Sequence, residues 1–133
     1  MKDVAAAIIL QNNKVLIAQR APSDDLAGMW EYPGGKIEPG ETPQQCLKRE
    51  IWEELEVEIE VLDFFGESIY QYDHGEIRLL AYLSRWTGGD FVLKVHSRIV
   101  WVDRDGLDRV DFAPADIPLA EKLKAIINEP DIL

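Results

Sequence analysis

The chain holds 133 residues, a length that suits one domain spanning 1–133. Lys and Arg total 14 against 25 for Asp and Glu, a net charge of -11 that repels long polyanions and argues against a nucleic acid polymer as partner. No apolar run reaches the roughly 20 residues a membrane span needs, so no membrane role is expected. Cys46 is the only cysteine, so no intrachain disulfide can form, which fits a reducing cytoplasm.

The first apolar stretch, Val4 to Leu10, follows an acid and lacks a small-residue cleavage site after it. It reads as a strand rather than a signal peptide. Gln11-Asn12-Asn13-Lys14 offers turn chemistry, and Val15 to Ala18 is apolar again, which predicts a β-hairpin. Residues 21–29 form a polar loop with Pro22, Asp24, Asp25 and Gly28. Trp30-Glu31-Tyr32 reads as a short strand that stops at Pro33-Gly34-Gly35. Thr42 as N-cap, Pro43 at the first position and Gln45 as the return member of a capping box start a helix that runs to about Leu55. A β-rich segment follows over Val57 to Phe65, then strands near Ile77–Trp86 and Val95–Val102, with Gly88-Gly89-Asp90 turning between them. Trp86 and Trp101 are expected in the core or at a sheet edge. Beyond Pro118, Leu119, Leu123, Ile126 and Ile127 recur at helical spacing. The order β-β-β-α-β-β-β-α favours a mixed α/β domain with helices packed on a sheet.

Glu50, Glu53 and Glu54 lie at i, i+3 and i+4, on one face of that first helix. Leu47, Ile51 and Leu55 form a separate apolar stripe beside them, which must face the core. Like charges at this spacing weaken a helix by a few tenths of a kcal/mol, so the cluster needs free solvation or a cation. Magnesium takes hard oxygen ligands of this kind, and an ordinary solvated acidic face is the other reading. The approach to the helix favours the cation. Gly34-Gly35 permits backbone conformations closed to other residues, so a carbonyl can turn toward an ion. Lys36 to Glu41 is a tight polar loop, and Arg49 can pair with a loop carboxylate to fix that loop against the helix.

At these residues the sequence resembles the Nudix hydrolases. Their box runs Gly, five residues, Glu, seven residues, then Arg-Glu-apolar-any-Glu-Glu-any-Gly-apolar. Gly35, Glu41 and Arg49-Glu50-Ile51-Trp52-Glu53-Glu54-Leu55-Glu56-Val57 match at every position except Glu56, which stands where the last glycine belongs. The flanks Val15–Arg20, Trp30–Lys36 and Phe112–Pro118 look like the MutT branch, which sanitises nucleotide pools, and also like bacterial CTP pyrophosphohydrolases.

The resemblance implies the Nudix fold, an α/β (α+β) domain whose mixed β-sheet is sandwiched between helices. It implies magnesium, with manganese as a substitute, held by the Gly34 carbonyl, Glu50, Glu53 and Glu54. Arg49 would orient the catalytic carboxylates, Glu53 and Glu54 among them, with Glu41 in support. Arg20 would contact phosphate, while Tyr32, Asp116 and His74 fall where such enzymes hold the base. The implied reaction is attack of water at the β-phosphorus of a small nucleoside triphosphate, giving monophosphate and pyrophosphate. The sequence does not fix the oligomeric state, which leaves monomer and homodimer both open. MutT-like enzymes carry a further glutamate on a loop before a late strand, where this chain has Val95. His96, a lone histidine before an apolar strand, reads as structural.

Tyr32 suits either stacking on a base or packing in the sheet. Asp116 could read a base edge or cap the C-terminal helix. An oxidised-purine triphosphate, 8-oxo-dGTP, is the leading substrate expectation, with CTP or a modified dCTP as the alternative. A Nudix-like domain that binds a nucleotide without catalysis is the reading from a different class, and Val95 is the feature in its favour.

Overall fold

The structure is a computed structural model, and it describes residues 1–127. β1 (Lys2–Gln11) and β2 (Lys14–Gln19) form the expected hairpin, closed by Gln11 opposite Lys14. Asn12 and Asn13 carry φ of 52° and 61°, as a two-residue turn matching the strand twist demands. β3 (Trp30–Glu31) pairs with β2. The chain does not stop at Pro33-Gly34-Gly35. Gly34–Lys36 forms a further strand, β4, antiparallel to Val4–Ala6 of β1.

α1 (Pro43–Leu55) has the predicted ends. Thr42 Oγ1 accepts from the Gln45 N–H at 3.1 Å, and the Gln45 side chain accepts from the Thr42 N–H at 3.0 Å. Its buried face is Leu47, Ile51 and Leu55, extended by Cys46. The helix ends at Glu56, which adopts the left-handed conformation at φ 55° and ψ 33°. The missing glycine therefore leaves the helix end unchanged, and a side chain occupies a backbone state that glycine enters without cost.

β5 (Glu58–Tyr72) and β6 (Gly75–Gly88) form a long antiparallel pair, with register shifts between Val61 and Gly66. The observed β5 runs well past Phe65; there Ser68 is buried while Ile69 and Tyr70 are exposed, so no apolar–polar alternation marks the strand in the sequence. β7 (Arg98–Val102) pairs with β2, not with β6. Gly88-Gly89-Asp90 is therefore not a turn between paired neighbours. It starts a crossing segment that caps the end of α1, with the Val92 N–H on Leu55 O at 2.9 Å and the Lys94 N–H on Glu54 O at 3.2 Å. A short α2 (Arg104–Leu107), capped by Asp103, precedes a 3-10 turn at Pro114–Asp116 and α3 (Ile117–Lys124). No periodic signal marks α2, which is one turn long.

The central order is β3-β2-β1-β6-β5, with β4 on β1 and β7 on β2. β1 and β6 run parallel over Lys2–Ile9, and the other pairs are antiparallel, so the sheet is mixed. β1 is buried on both faces, which is why it reads as a continuous apolar run. Ala5, Ala7 and Ile9 pack with Leu47, Ile51 and Leu55 of α1. Ala6, Ile8 and Leu10 pack on the other face with Leu107, Leu119 and Leu123. Helices thus cover both faces, as expected. Trp86 and Trp101 are partly buried beside Phe91 on the α1 side. Among the described residues no helix is long and apolar enough to cross a membrane.

Candidate active site

The end of β4 lies against α1 at the glutamate cluster. A Cβ on Gly35 would overlap the Glu50 carboxylate, and one on Gly34 would overlap the Ala5 carbonyl oxygen. Neither glycine has a positive φ. Their requirement is close approach, not the unusual backbone angle expected from the sequence. Gly34 lines the cleft described below as a paired strand residue.

Arg49 organises the cluster. Its Nε and Nη2 donate to the two Glu41 carboxylate oxygens at 2.6 and 2.9 Å, a bidentate clamp of the loop onto the helix. Its Nη1 reaches Glu50 at 2.8 Å and Glu53 at 3.3 Å. The guanidinium holds the Glu41 carboxyl down to about 2, helped by the Glu38 backbone N–H. The same carboxylates push Arg49 up.

The three helix glutamates are not equivalent. The Glu53 side chain is 55% exposed, against 17% for Glu50 and 13% for Glu54. Burial, then the neighbouring Glu50, Glu31 and Glu53, pushes Glu54 up to about 9. Among the described residues no group of three acids, histidines or cysteines is already converged as a cation cage. The chemistry of the donor set nonetheless suits a hard divalent cation. Crowded, partly buried carboxylate oxygens repel one another, and a cation among them removes that repulsion.

Beside the cluster opens a cleft of about 400 Å³, a size that suits a small ligand. Arg20, Tyr32, His74 and Asp116 all line it, so the structure brings the four expected ligand contacts together. Arg20 is held in place by Glu31 Oε1 at 2.7 Å and Asp25 O at 2.6 Å. Tyr32 is 3% exposed and packs on the Phe112 ring at 5.4 Å, yet its buried hydroxyl has no partner. Burial, reinforced by Asp116, pushes the Tyr32 hydroxyl up. Asp116 sits at the N-cap of α3 but makes no capping bond. Its Oδ1 instead accepts from the Tyr32 N–H at 3.0 Å. Capping is thus not its role. Burial pushes Asp116 up to about 8. His74 stacks on Tyr72 at 5.5 Å with the rings 6° from parallel.

Three residues at the site went unpredicted. Tyr72 also lines the cleft, and its hydroxyl accepts from the Ala115 N–H at 3.0 Å, tying β5 to the turn that carries Asp116. Glu31 bridges Arg20 and His96, 65 residues away. His96 is structural in the sense that it is buried, but its partners are site residues. No local spacing links positions 31, 54 and 96, and only the fold unites them. Val95, 47% exposed, supplies no carboxylate where the loop glutamate was expected.

This fold and this constellation define a class, and comparison with known proteins agrees. The NUDIX domain matches residues 1–123. The chain is 38% identical over 130 residues to a CTP pyrophosphohydrolase of Escherichia coli, covering 95% of this chain and 93% of that one. It is 36% identical over 125 residues to an 8-oxo-dGTP diphosphatase of the same organism, covering 92% and 96%. The solution structure of the E. coli ORF135 protein superposes with a TM-score of 0.83 at 35% identity, covering 100% of this chain and 95% of that one. The chain belongs to the Nudix family of hydrolases, and the two relatives named above are a pyrophosphohydrolase and a diphosphatase of nucleotides.

Proposed function

We propose that the protein is a magnesium-dependent nucleoside triphosphate pyrophosphohydrolase, with manganese able to substitute, and that it clears 8-oxo-dGTP from the nucleotide pool. The observation that carries this reading is the junction of a base-sized cleft with the Arg49-clamped glutamate cluster. Glu50, Glu53, Glu54 and the Gly34 carbonyl would hold the cation. When bound, the ion offsets phosphate charge and lowers the pKa of water. Arg49 keeps Glu50 and Glu53 aligned, and Glu41 keeps Arg49 in place. Arg20, fixed by Glu31, meets the phosphates. A carboxylate of the Glu53–Glu54 pair takes the proton of the attacking water. The water oxygen bonds to the β-phosphorus as the bond to the monophosphate oxygen breaks, giving monophosphate and pyrophosphate.

Base recognition falls to Tyr32, Asp116 and His74, with Tyr72 behind His74. Asp116 at about 8 is mostly protonated at neutral pH, so it can donate to a base carbonyl as well as accept from an N–H. That suits an oxidised purine, whose edge offers both. The likeness to a CTP pyrophosphohydrolase over nearly the whole chain favours a second reading, in which Asp116 accepts from the exocyclic amine of cytosine. Replacing Glu53 or Glu54 by Gln should lower turnover about 10²-fold, the size of effect that loss of a proton-transferring group produces. Wild-type turnover in both variants would remove the assignment.

A further inference from the structure

Leu26 holds its backbone at φ 58°, in the left-handed region that side chains rarely enter. Among the described residues, the other non-glycine residues with positive φ are Asn12 and Asn13 in the β1–β2 turn and Glu56 at the end of α1. Asparagine suits such a turn, and a helix end commonly takes this state. Neither reason applies to Leu26, a branched apolar residue in the loop between β2 and β3. Both peptide groups that flank it are fixed. The Asp25 carbonyl accepts from Arg20 Nε at 2.6 Å, and the Leu26 carbonyl accepts from the Met29 N–H at 3.1 Å. The loop is tied to β2 again where the Gly28 N–H donates to Arg20 O and Gln19 Nε2 donates to Gly28 O, both at 3.1 Å. Strain that is over-determined in this way gathers at ligand clamps, and Leu26 lines the cleft. Val4, Ile77 and Leu79, neighbours on one face of the sheet, line it too. Leu26 adds an apolar side chain from outside the sheet.

We propose that Leu26 is a specificity-determining residue, whose side chain packs on the nucleoside part of the substrate and is held there by the left-handed backbone. An isobutyl group can neither neutralise nor hydrogen-bond a phosphate, and Asp25, which also lines the cleft, would repel one. The carbon-rich surface of a sugar or base suits this wall. The guanidinium that meets the phosphates under the proposed function also holds the Asp25 carbonyl, so Arg20 sets the spacing between the phosphate contact and the nucleoside contact. The inference rests on the reading of this cleft as the nucleoside site. Loss of one apolar contact in such a pocket lowers affinity about tenfold or more.

The test uses the full chain with Mg²⁺ and measures, by titration calorimetry, the binding of 8-oxo-dGMP, dCMP and inorganic pyrophosphate. Leu26→Asn is the informative variant, because asparagine enters the left-handed region readily and keeps the course of the loop while the apolar side chain is lost. It should weaken the tighter-binding monophosphate about tenfold and leave the affinity for pyrophosphate in place. In turnover of the matching triphosphate, KM should rise more than kcat falls. Leu26→Met, which keeps apolar reach, should recover most of the lost affinity. Unchanged monophosphate affinity in Leu26→Asn would overturn this proposal and leave the nucleoside reading of the cleft standing. Equal losses for the monophosphate and pyrophosphate would also overturn it, since the loop would then act through Arg20 and not through the leucine side chain. Wild-type binding of pyrophosphate but of neither monophosphate would overturn the nucleoside reading itself, and the proposal with it.

Discussion

Asp116 and Glu41 show how differently one functional group behaves at this site. Glu41, clamped by a guanidinium, is held ionised. Asp116 is buried with one backbone N–H for company and keeps its proton to about pH 8. An unfolded chain releases that proton near the ordinary value of 3.8. Between these values the folded state binds the extra proton, so the contribution of Asp116 to stability is full below about pH 4 and is lost as the pH rises to about 8. Asp116→Asn should therefore flatten the fall in stability between pH 5 and 8, measured by urea unfolding in metal-free buffer. Glu54, also raised, acts in the same direction in both chains and cancels from the difference. Equal slopes for the two proteins would show that Asp116 does not carry its proton through this range. The sequence points to Asp116 because Phe112-Ala113-Pro114-Ala115 precedes it, but its bond to Tyr32 spans 84 residues and no local pattern encodes it.

At the scale of elements, α1 was legible almost to the residue, because its capping box, proline and apolar stripe are all local. β4 was not, since two glycines in three residues carry no side-chain period. Its glycines are explained by contact instead. Gly34→Ala should destabilise the protein by roughly 2 kcal/mol, as overpacking against fixed backbone does. A thermal unfolding scan that shows no loss would mean β4 lies farther from β1 than its pairing indicates. The end of α1 gives the opposite expectation. Glu56 holds a left-handed conformation while its carboxylate meets Lys94 at 2.7 Å on the surface. The backbone cost of about 1–2 kcal/mol exceeds what a surface pair of this kind returns. Glu56→Gly should raise stability by about 1 kcal/mol in urea unfolding. A loss would mean that the Lys94 pair, or the loop it holds, outweighs the backbone strain. Placing β7 beside β2 rather than β6 needs the whole sheet, so the strand was readable and its neighbour was not.

Across the whole molecule, the Arg49–glutamate half of the site was readable and the cleft half was not. Glu41, Arg49, Glu50, Glu53 and Glu54 fall within one loop and one helix, so their spacing in sequence is their spacing in space. The cleft draws on β1, β3, β5, β6 and the turn before α3, and depends on long-range packing. Under the proposed function, a net charge of -11 makes an uncompensated triphosphate an unwelcome ligand, and charge balance would fall to Arg20 and a divalent cation. The most direct measurement is pyrophosphate release with and without magnesium over 8-oxo-dGTP, dGTP, CTP and 5-methyl-dCTP. Magnesium-dependent release, fastest with 8-oxo-dGTP, is the predicted result. Fastest release from the cytosine substrates would keep the chemistry and replace the base. Release that ignores magnesium, or none from any of the four, would contradict the account.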